Sequence, residues 1–215
     1  MKPRDVAEKL WQVAAQVPVT LSFGLLVIGI ACVPGANGAL QFDRTAIGAG
    51  EVWRLATCHL THWNAEHIRW DLLMFLMLGA TCEMRNPRRM RLCLIVSAMC
   101  VSAVVYALFP NINAYRGLSG VDTGLFTLLA VDLMRDAYRE GNRALLTASG
   151  ALLIGFVLKT SYEVVAGHAL FVDQYAAGFG LLIWDHIAAA IVGMAIGLSS
   201  EWLRNCCGKV GYLTS

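Results

Sequence analysis

Charge is what this chain has least of. Only 15% of its residues are Asp, Glu, Lys or Arg, against 57% hydrophobic, where a soluble domain carries about 25% charge. The net charge is +2, which by itself says little about nucleic acid; no nucleic-acid partner is expected. Seven Cys are present, yet none forms a C-x-x-C pair or a zinc-ligand spacing. Most of them sit inside apolar runs, where Cys behaves as a small hydrophobe. Cys206-Cys207, just past the last apolar run, is the one pair placed for acylation. H-E-x-x-H is absent, which argues against a zinc intramembrane protease. Internal repeats, low-complexity tracts and any sign of a second domain are also missing.

Long apolar runs are what the chain has instead, and they make the bilayer its solvent. Six spans are read, at roughly 17–34, 60–82, 91–109, 118–136, 144–166 and 179–201, each near the ~20 residues needed to cross. The expected fold class is therefore all-α, a polytopic six-helix membrane bundle. Residues 1–16 form an N-terminal segment, 17–203 the membrane domain and 204–215 a tail. The stretch before the first run is long for a signal-peptide n-region, so that run is expected to remain as a span. Cations cluster in alternate loops. Lys2, Arg4 and Lys9 precede span one; Arg85, Arg88, Arg89 and Arg91 join spans two and three. Arg135, Arg139 and Arg143 join spans four and five; Arg204 and Lys209 follow span six. The positive-inside rule then puts both termini in the cytoplasm. Residues 34–58 read as an outside loop, and 110–117 as the outside loop that delivers span four.

Chemistry concentrates on three spans that all run inward from outside. Gly117-Leu118-Ser119-Gly120 opens span four. His186 lies in span six, and His67 and Asp71 share one face of span two, four residues apart. At 1.5 Å per residue, His67, Ser119 and His186 all fall within about 10–15 Å of the outer surface. A Ser at a helix start, with unpartnered backbone N–H groups beside it and a His at its own depth, is the minimum for a serine nucleophile with oxyanion stabilisation. Blander readings stand beside this one: Ser119 as a helix cap between packing glycines, and His186 as a satisfied packing residue. Asp122 lies one turn below Ser119, where it can bond His186 or a neighbouring helix, or favour its own helix start. Asp185, adjacent to His186, is expected on another face and not to orient it. Lys159 and Glu163 are spaced for an i,i+4 pair. His59, His62 and His67 do not share one face, so no metal site is expected.

The ordered set resembles the rhomboid family of intramembrane serine proteases, from Trp53 to about Gly197. Trp53-Arg54 matches its Trp-Arg motif. Thr57, His62 and His67 fit T-x4-H-x4-H, and Glu83 falls at the Glu near the inner end of that helix. Gly117-Leu118-Ser119-Gly120 fits G-x-S-G, while His186 and Gly193 fit H-x-x-G-x-x-x-G in part. The resemblance implies Ser119 as nucleophile and His186 as general base, a dyad rather than a triad, with His67 and the Ser119 backbone N–H holding the oxyanion. It gives position 71 the oxyanion role as well, but the family has Asn there and this chain has Asp71. Thr123 stands where a Tyr often packs the His ring, and Ala189 replaces the first Gly after the His. Lys159/Glu163 and the compact core are compatible with the rhombosortase subgroup, which acts on C-terminal Gly-Gly anchored proteins.

The expected function is an endopeptidase that cuts transmembrane or juxtamembrane segments of other membrane proteins, working in the lipid bilayer without a cofactor. The resemblance implies a bacterial inner membrane location. Two rivals remain: a catalytically inactive rhomboid-like protein that binds membrane helices, and a small proton-coupled transporter using the His/Asp cluster.

Overall fold

The structure is a computed structural model and describes residues 8, 11–167 and 183–208, with side chains described up to residue 199. Residues 179–182 of the sixth span, the cations Lys2, Arg4, Lys9 and Lys209, and the side chains of Arg204, Cys206 and Cys207 lie outside the described part. Its elements in chain order are α1 (Pro18–Cys32), α2 (Ala36–Leu40), β1 (Phe42–Asp43), α3 (Arg44–Gly48) and α4 (Arg54–Thr57). After a 3₁₀ turn at Cys58–Leu60 come α5 (Ala65–Arg85), α6 (Pro87–Leu108), β2 (Ala114–Tyr115), α7 (Ser119–Glu140), α8 (Arg143–Ala166) and α9 (Trp184–Gly208).

Each expected span therefore falls on a helix. By length and apolarity alone, α6 and α8 suffice to cross a membrane, with α1 and Trp184–Ser199 as shorter apolar helices. Span two starts later than its hydropathy suggests. Asn64 caps α5 by accepting from the His67 N–H at 2.8 Å, which leaves Thr61–Trp63 as loop. One residue separates α5 from α6. Asn86 closes α5 and caps α6, accepting from Arg89 N–H, and Pro87 takes the first helical position, where a missing N–H costs nothing. Gly141 ends α7 in the left-handed region at φ 66°.

Residues 34–58 are more ordered than a loop. They fold into α2, β1, α3 and α4, and β1 pairs antiparallel with β2, Phe42 opposite Tyr115. Arg44 holds this layer to the end of α6. Its guanidinium donates to the carbonyls of Val105, Phe109, Tyr106 and Ile112 at 2.8–3.0 Å, satisfying acceptors that a helix C-terminus leaves open. Arg54 of the Trp-Arg pair bonds Glu51 and the carbonyls of Gly38 and Gln41.

Two apolar clusters flank the start of α7. One joins Val27, Phe75, Met90, Leu118, Leu125 and Leu128 across α1, α5, α6 and α7. The other joins Phe42, Cys58, Val101, Val105, Tyr115 and Ala189. Glu83, almost fully buried, ties α5 to the start of α1. It accepts from the N–H groups of Val19 and Thr20 and from Thr20 Oγ1, at 2.7–2.9 Å. At the opposite end from Ser119, Arg89 bonds Asp132 and the carbonyls of Ile196 and Gly197, and Arg85 pairs with Asp136. Two loop cations read as orientation signals thus also clamp α7 to its neighbours. Lys159 and Glu163 form the expected pair at 2.9 Å.

Helix α9 packs most extensively on α7. A Cβ on Gly193 would overlap the Gly124 carbonyl oxygen and Thr127 Oγ1. Thr127 Oγ1 donates to Ala190 O at 3.1 Å. Gly193→Val is therefore expected to force α9 off α7 and cost about 3 kcal/mol, at the upper end of overpacking penalties. Gly29→Ala, which meets no atom within 4 Å, is the matched control. Thermal unfolding in detergent micelles compares the two; equal melting temperatures would refute close α7–α9 packing.

Candidate active site

Gly117 must be glycine for two separate reasons. Its φ is +124°, a conformation other residues rarely adopt. A Cβ there would also lie 2.9 Å from the His67 ring. The turn is held from behind: Gly117 N–H donates to Cys58 O at 3.3 Å, and His59 Nδ1 lies 3.2 Å from Gly117 O. The other His59 nitrogen contacts Ala98 O and Ser102 Oγ. His59 is thus a fixed part of the turn, engaged away from His62 and His67. Among the described residues no group of three or more His, Cys, Asp and Glu is arranged to hold a metal ion.

Ser119 is the first residue of α7, half-buried, with Leu118 fully buried in front of it. Facing this helix start, α5 presents His67 and Asp71. Asp71 Oδ2 accepts from Leu118 N–H at 2.8 Å and lies 3.2 Å from His67 Nε2 and 3.3 Å from His62 Nε2. The two imidazole rings meet edge to face at 5.2 Å. Asp71 is thus held by a backbone N–H of the turn that precedes α7. Asp122 is buried, and its Oδ1 has no hydrogen-bond partner among the described residues. Thr123 bonds back to Ser119 O at 2.9 Å, so the residue at the Tyr position is occupied within its own helix.

His186 sits in the first turn of α9. Parallel packing sets its depth. Contacts of residue 124 with Ala189 and Gly193, 127 with Ala190 and Gly193, and 131 with Gly197 give register offsets of 63 to 69. Carried back to residue 119, they reach residues 182–188, a range that contains His186. Ser119 and His186 therefore share a level. Their side chains are not hydrogen-bonded to each other in this structure, and catalytic bonds commonly tighten only with substrate present.

Asp185 departs from the sequence expectation. Its side chain folds back over its own helix start: Oδ1 accepts from His186 N–H at 2.6 Å and lies 3.3 Å from His186 Nδ1. The face rule for helix neighbours does not apply here, because a carboxylate at a helix start turns toward free N–H groups. Its Oδ2 accepts from the Tyr115 hydroxyl at 3.0 Å. Burial, and then the nearby Asp185 charge, push the Tyr115 hydroxyl well above its ordinary pKa, so it remains a donor. Tyr115 had no sequence signal, because its position depends on a two-residue strand pairing with a distant segment.

These features meet one comparison. A search of curated proteins finds no match to the chain. The model of the Rhomboid domain matches residues 49–200, a stretch that begins just before Trp53-Arg54, contains every site residue above, and ends past Gly197. Rhomboids are integral membrane proteins and include the intramembrane serine proteases, and with well over half of its length matched this chain belongs to the rhomboid family.

Proposed function

We propose that this chain is an intramembrane serine endopeptidase that cleaves transmembrane or juxtamembrane segments of other membrane proteins. The observation that carries the reading is the helix start at Ser119. It faces His67 and Asp71 of α5 and stands level with His186 of α9. In the proposed reaction Ser119 Oγ attacks the scissile carbonyl carbon while its proton passes to His186 Nε2. The oxyanion is held by the Ser119 backbone N–H and His67, with Asp71 setting the charge of that pocket. His186 then gives the proton to the leaving amine, and water hydrolyses the acyl-Ser119 ester by the same steps in reverse. A substrate helix must open locally to show its carbonyl, so helix-weakening residues near the outer surface favour cleavage.

Residues 17–203 are proposed as a six-span domain in a bacterial inner membrane with both termini cytoplasmic. The loop cations and the helix on each span support this. Reporters fused after Ser215 and inserted into loop 110–117 are expected on opposite sides of the membrane; the same side for both breaks the layout.

A second reading rests on one observation. Asp71 Oδ2 already occupies the Leu118 N–H, which suits a protein that only binds membrane helices. A labelled fluorophosphonate separates the two. Labelling of the wild type but not of Ser119→Ala, together with shedding of a single-span reporter, supports the protease. A wild type that neither labels nor sheds, including a reporter with a C-terminal Gly-Gly anchor, supports the binding protein.

A further inference from the structure

His59 is almost fully buried, and both of its ring nitrogens face acceptors. Nδ1 lies 3.2 Å from Gly117 O, while Nε2 lies 2.9 Å from Ala98 O and 3.0 Å from Ser102 Oγ, all in hydrogen-bonding geometry. A carbonyl oxygen only accepts. Ser102 gives its own hydroxyl proton to Leu55 O at 2.5 Å, so towards the ring its oxygen accepts as well. A neutral imidazole has one N–H and can serve only one side; an imidazolium has two and serves both. With the neutral ring, a buried carbonyl would face a nitrogen lone pair, which costs its desolvation without a bond.

Gly117 O is one end of the peptide that leads into the nucleophile's helix. Every peptide bond described is trans, so this carbonyl and the Leu118 N–H point opposite ways. The oxygen meets His59; on the other side Asp71 Oδ2 accepts from the N–H at 2.8 Å. One peptide plane is thus gripped at both ends, its oxygen towards the ring and its N–H towards the carboxylate. The grip is needed because Gly117, with φ +124° and no Cβ, restrains this peptide weakly. A half-turn would aim the carbonyl at His67 and Asp71, an acceptor where an oxyanion needs donors.

We propose that His59 is held as an imidazolium and is a positioning residue for the reaction, clamping the Gly117–Leu118 peptide against Asp71 so that the Ser119 helix start keeps its aim. This rests on the protease reading. Loss of one proton leaves Nε2–H with its two acceptors and releases Gly117 O. The groups facing the ring are Cys58 in its own turn, Ala98 O and Ser102 of α6, and Tyr115 of β2, ring centroids 6.0 Å apart. Beyond the clamped peptide stand Asp71, His67 and His62 of α5, and Asp185 of α9 reaches the cluster through the Tyr115 hydroxyl. Burial opposes a charge on His59; Cys58 and the two carbonyl contacts favour it, and its pKa lies above the ordinary histidine value. A raised pKa means that the clamp is present at low pH and is lost as the pH rises through that value.

The test uses the full-length chain. At about pH 7.5 an ordinary histidine, of pKa about 6.5, is roughly nine-tenths neutral. In ¹⁵N-histidine spectra at that pH, His59, assigned by the signal missing from His59→Gln, is expected to carry protons on both nitrogens. A single ring proton overturns the proposal. In proteoliposomes, kcat is expected to fall as the pH rises through the value at which His59 loses its second proton; a kcat unchanged across that step also overturns it. Gln has donors at one end only and cannot serve both carbonyls. His59→Gln is therefore expected to lower kcat by about 10²-fold, the scale of a misplacement near 1 Å, with KM within about twofold. It should also shift the ¹⁵N-leucine amide signal of Leu118, assigned by its absence in Leu118→Met. A kcat within about threefold of wild type, or an unmoved Leu118 signal, overturns the positioning role. If His59→Gln does not fold, removing the other histidines one at a time assigns the signal, and the wild-type pH series decides. The spectra need no turnover. A wild type that neither cleaves nor labels defeats the protease reading alone, while the His59 protons and the Leu118 shift still decide whether the ring clamps that peptide.

Discussion

Ser119→Ala and His186→Ala are each expected to lower cleavage of a single-span reporter by about 10⁵–10⁶-fold, close to the loss from removing both. Members of a nucleophile–base unit act together, so deleting one removes nearly all that the unit supplies. Neither change should unfold the bundle. Ser119 is half-buried and packs little volume, and α9 is held on α7 further down, at Gly193, Thr127 and Gly197. The measurement is single-turnover cleavage by purified protein in proteoliposomes, with melting temperature alongside. If purified Ser119→Ala, free of host protease, retains cleavage above about 1% of wild type, the Ser–His assignment is falsified. A double variant far less active than either single one would show two independent contributions and argue against a shared proton path.

The sequence revealed the parts of the site that helical periodicity governs. His67 and Asp71, four apart, share a face because a helix repeats every 3.6 residues, and the structure puts the ring and carboxylate 3.2 Å apart. Ser119 at a helix start was legible from the Gly-marked loop before it. A common level for Ser119 and His186 was expected from counting residues along two spans that run the same way. What stayed hidden depends on contacts with no local period. Strands β1 and β2 are two residues each, too short for alternation to register, so neither the order in 34–58 nor the place of Tyr115 could be read. The Asp185 rotamer is set by free N–H groups at its own helix start, which overrides the face assigned by spacing. Asp71 meets the Leu118 N–H, a backbone donor that no residue identity announces. Span two began late for a similar reason: Asn64 decides where the helix starts, and hydropathy does not see caps.

Asp71 carries the other large expected effect. Its Oδ2 sits among the Leu118 N–H, His67 Nε2 and His62 Nε2, a donor set that would serve an oxyanion. A carboxylate there has two consequences of opposite sign. It satisfies a buried N–H and joins α5 to the turn before Ser119, which stabilises the fold. It also places a resident negative charge where the reaction must develop another, which raises the barrier. Asp71→Asn separates them. The amide oxygen can still accept from Leu118 N–H, and the NH₂ adds a donor in place of a charge. The expected outcome is a kcat/KM raised about tenfold, roughly 1.4 kcal/mol of transition-state stabilisation. That is less than the 10²–10³ of an isolated oxyanion donor, because the amide stays committed to the turn. Asp71→Ala removes the charge but leaves the Leu118 N–H without its acceptor. It should lose about 1–3 kcal/mol of stability, with kcat/KM below that of Asp71→Asn. The check is kcat/KM and melting temperature for the three proteins on one reporter. If both variants match wild type in kcat/KM, Asp71 faces no developing charge, and His67 with the Ser119 N–H must hold the oxyanion unaided. If Asp71→Asn is slower than wild type, the carboxylate is needed in place, and its pull on the His67 and His62 rings outweighs its repulsion of the oxyanion.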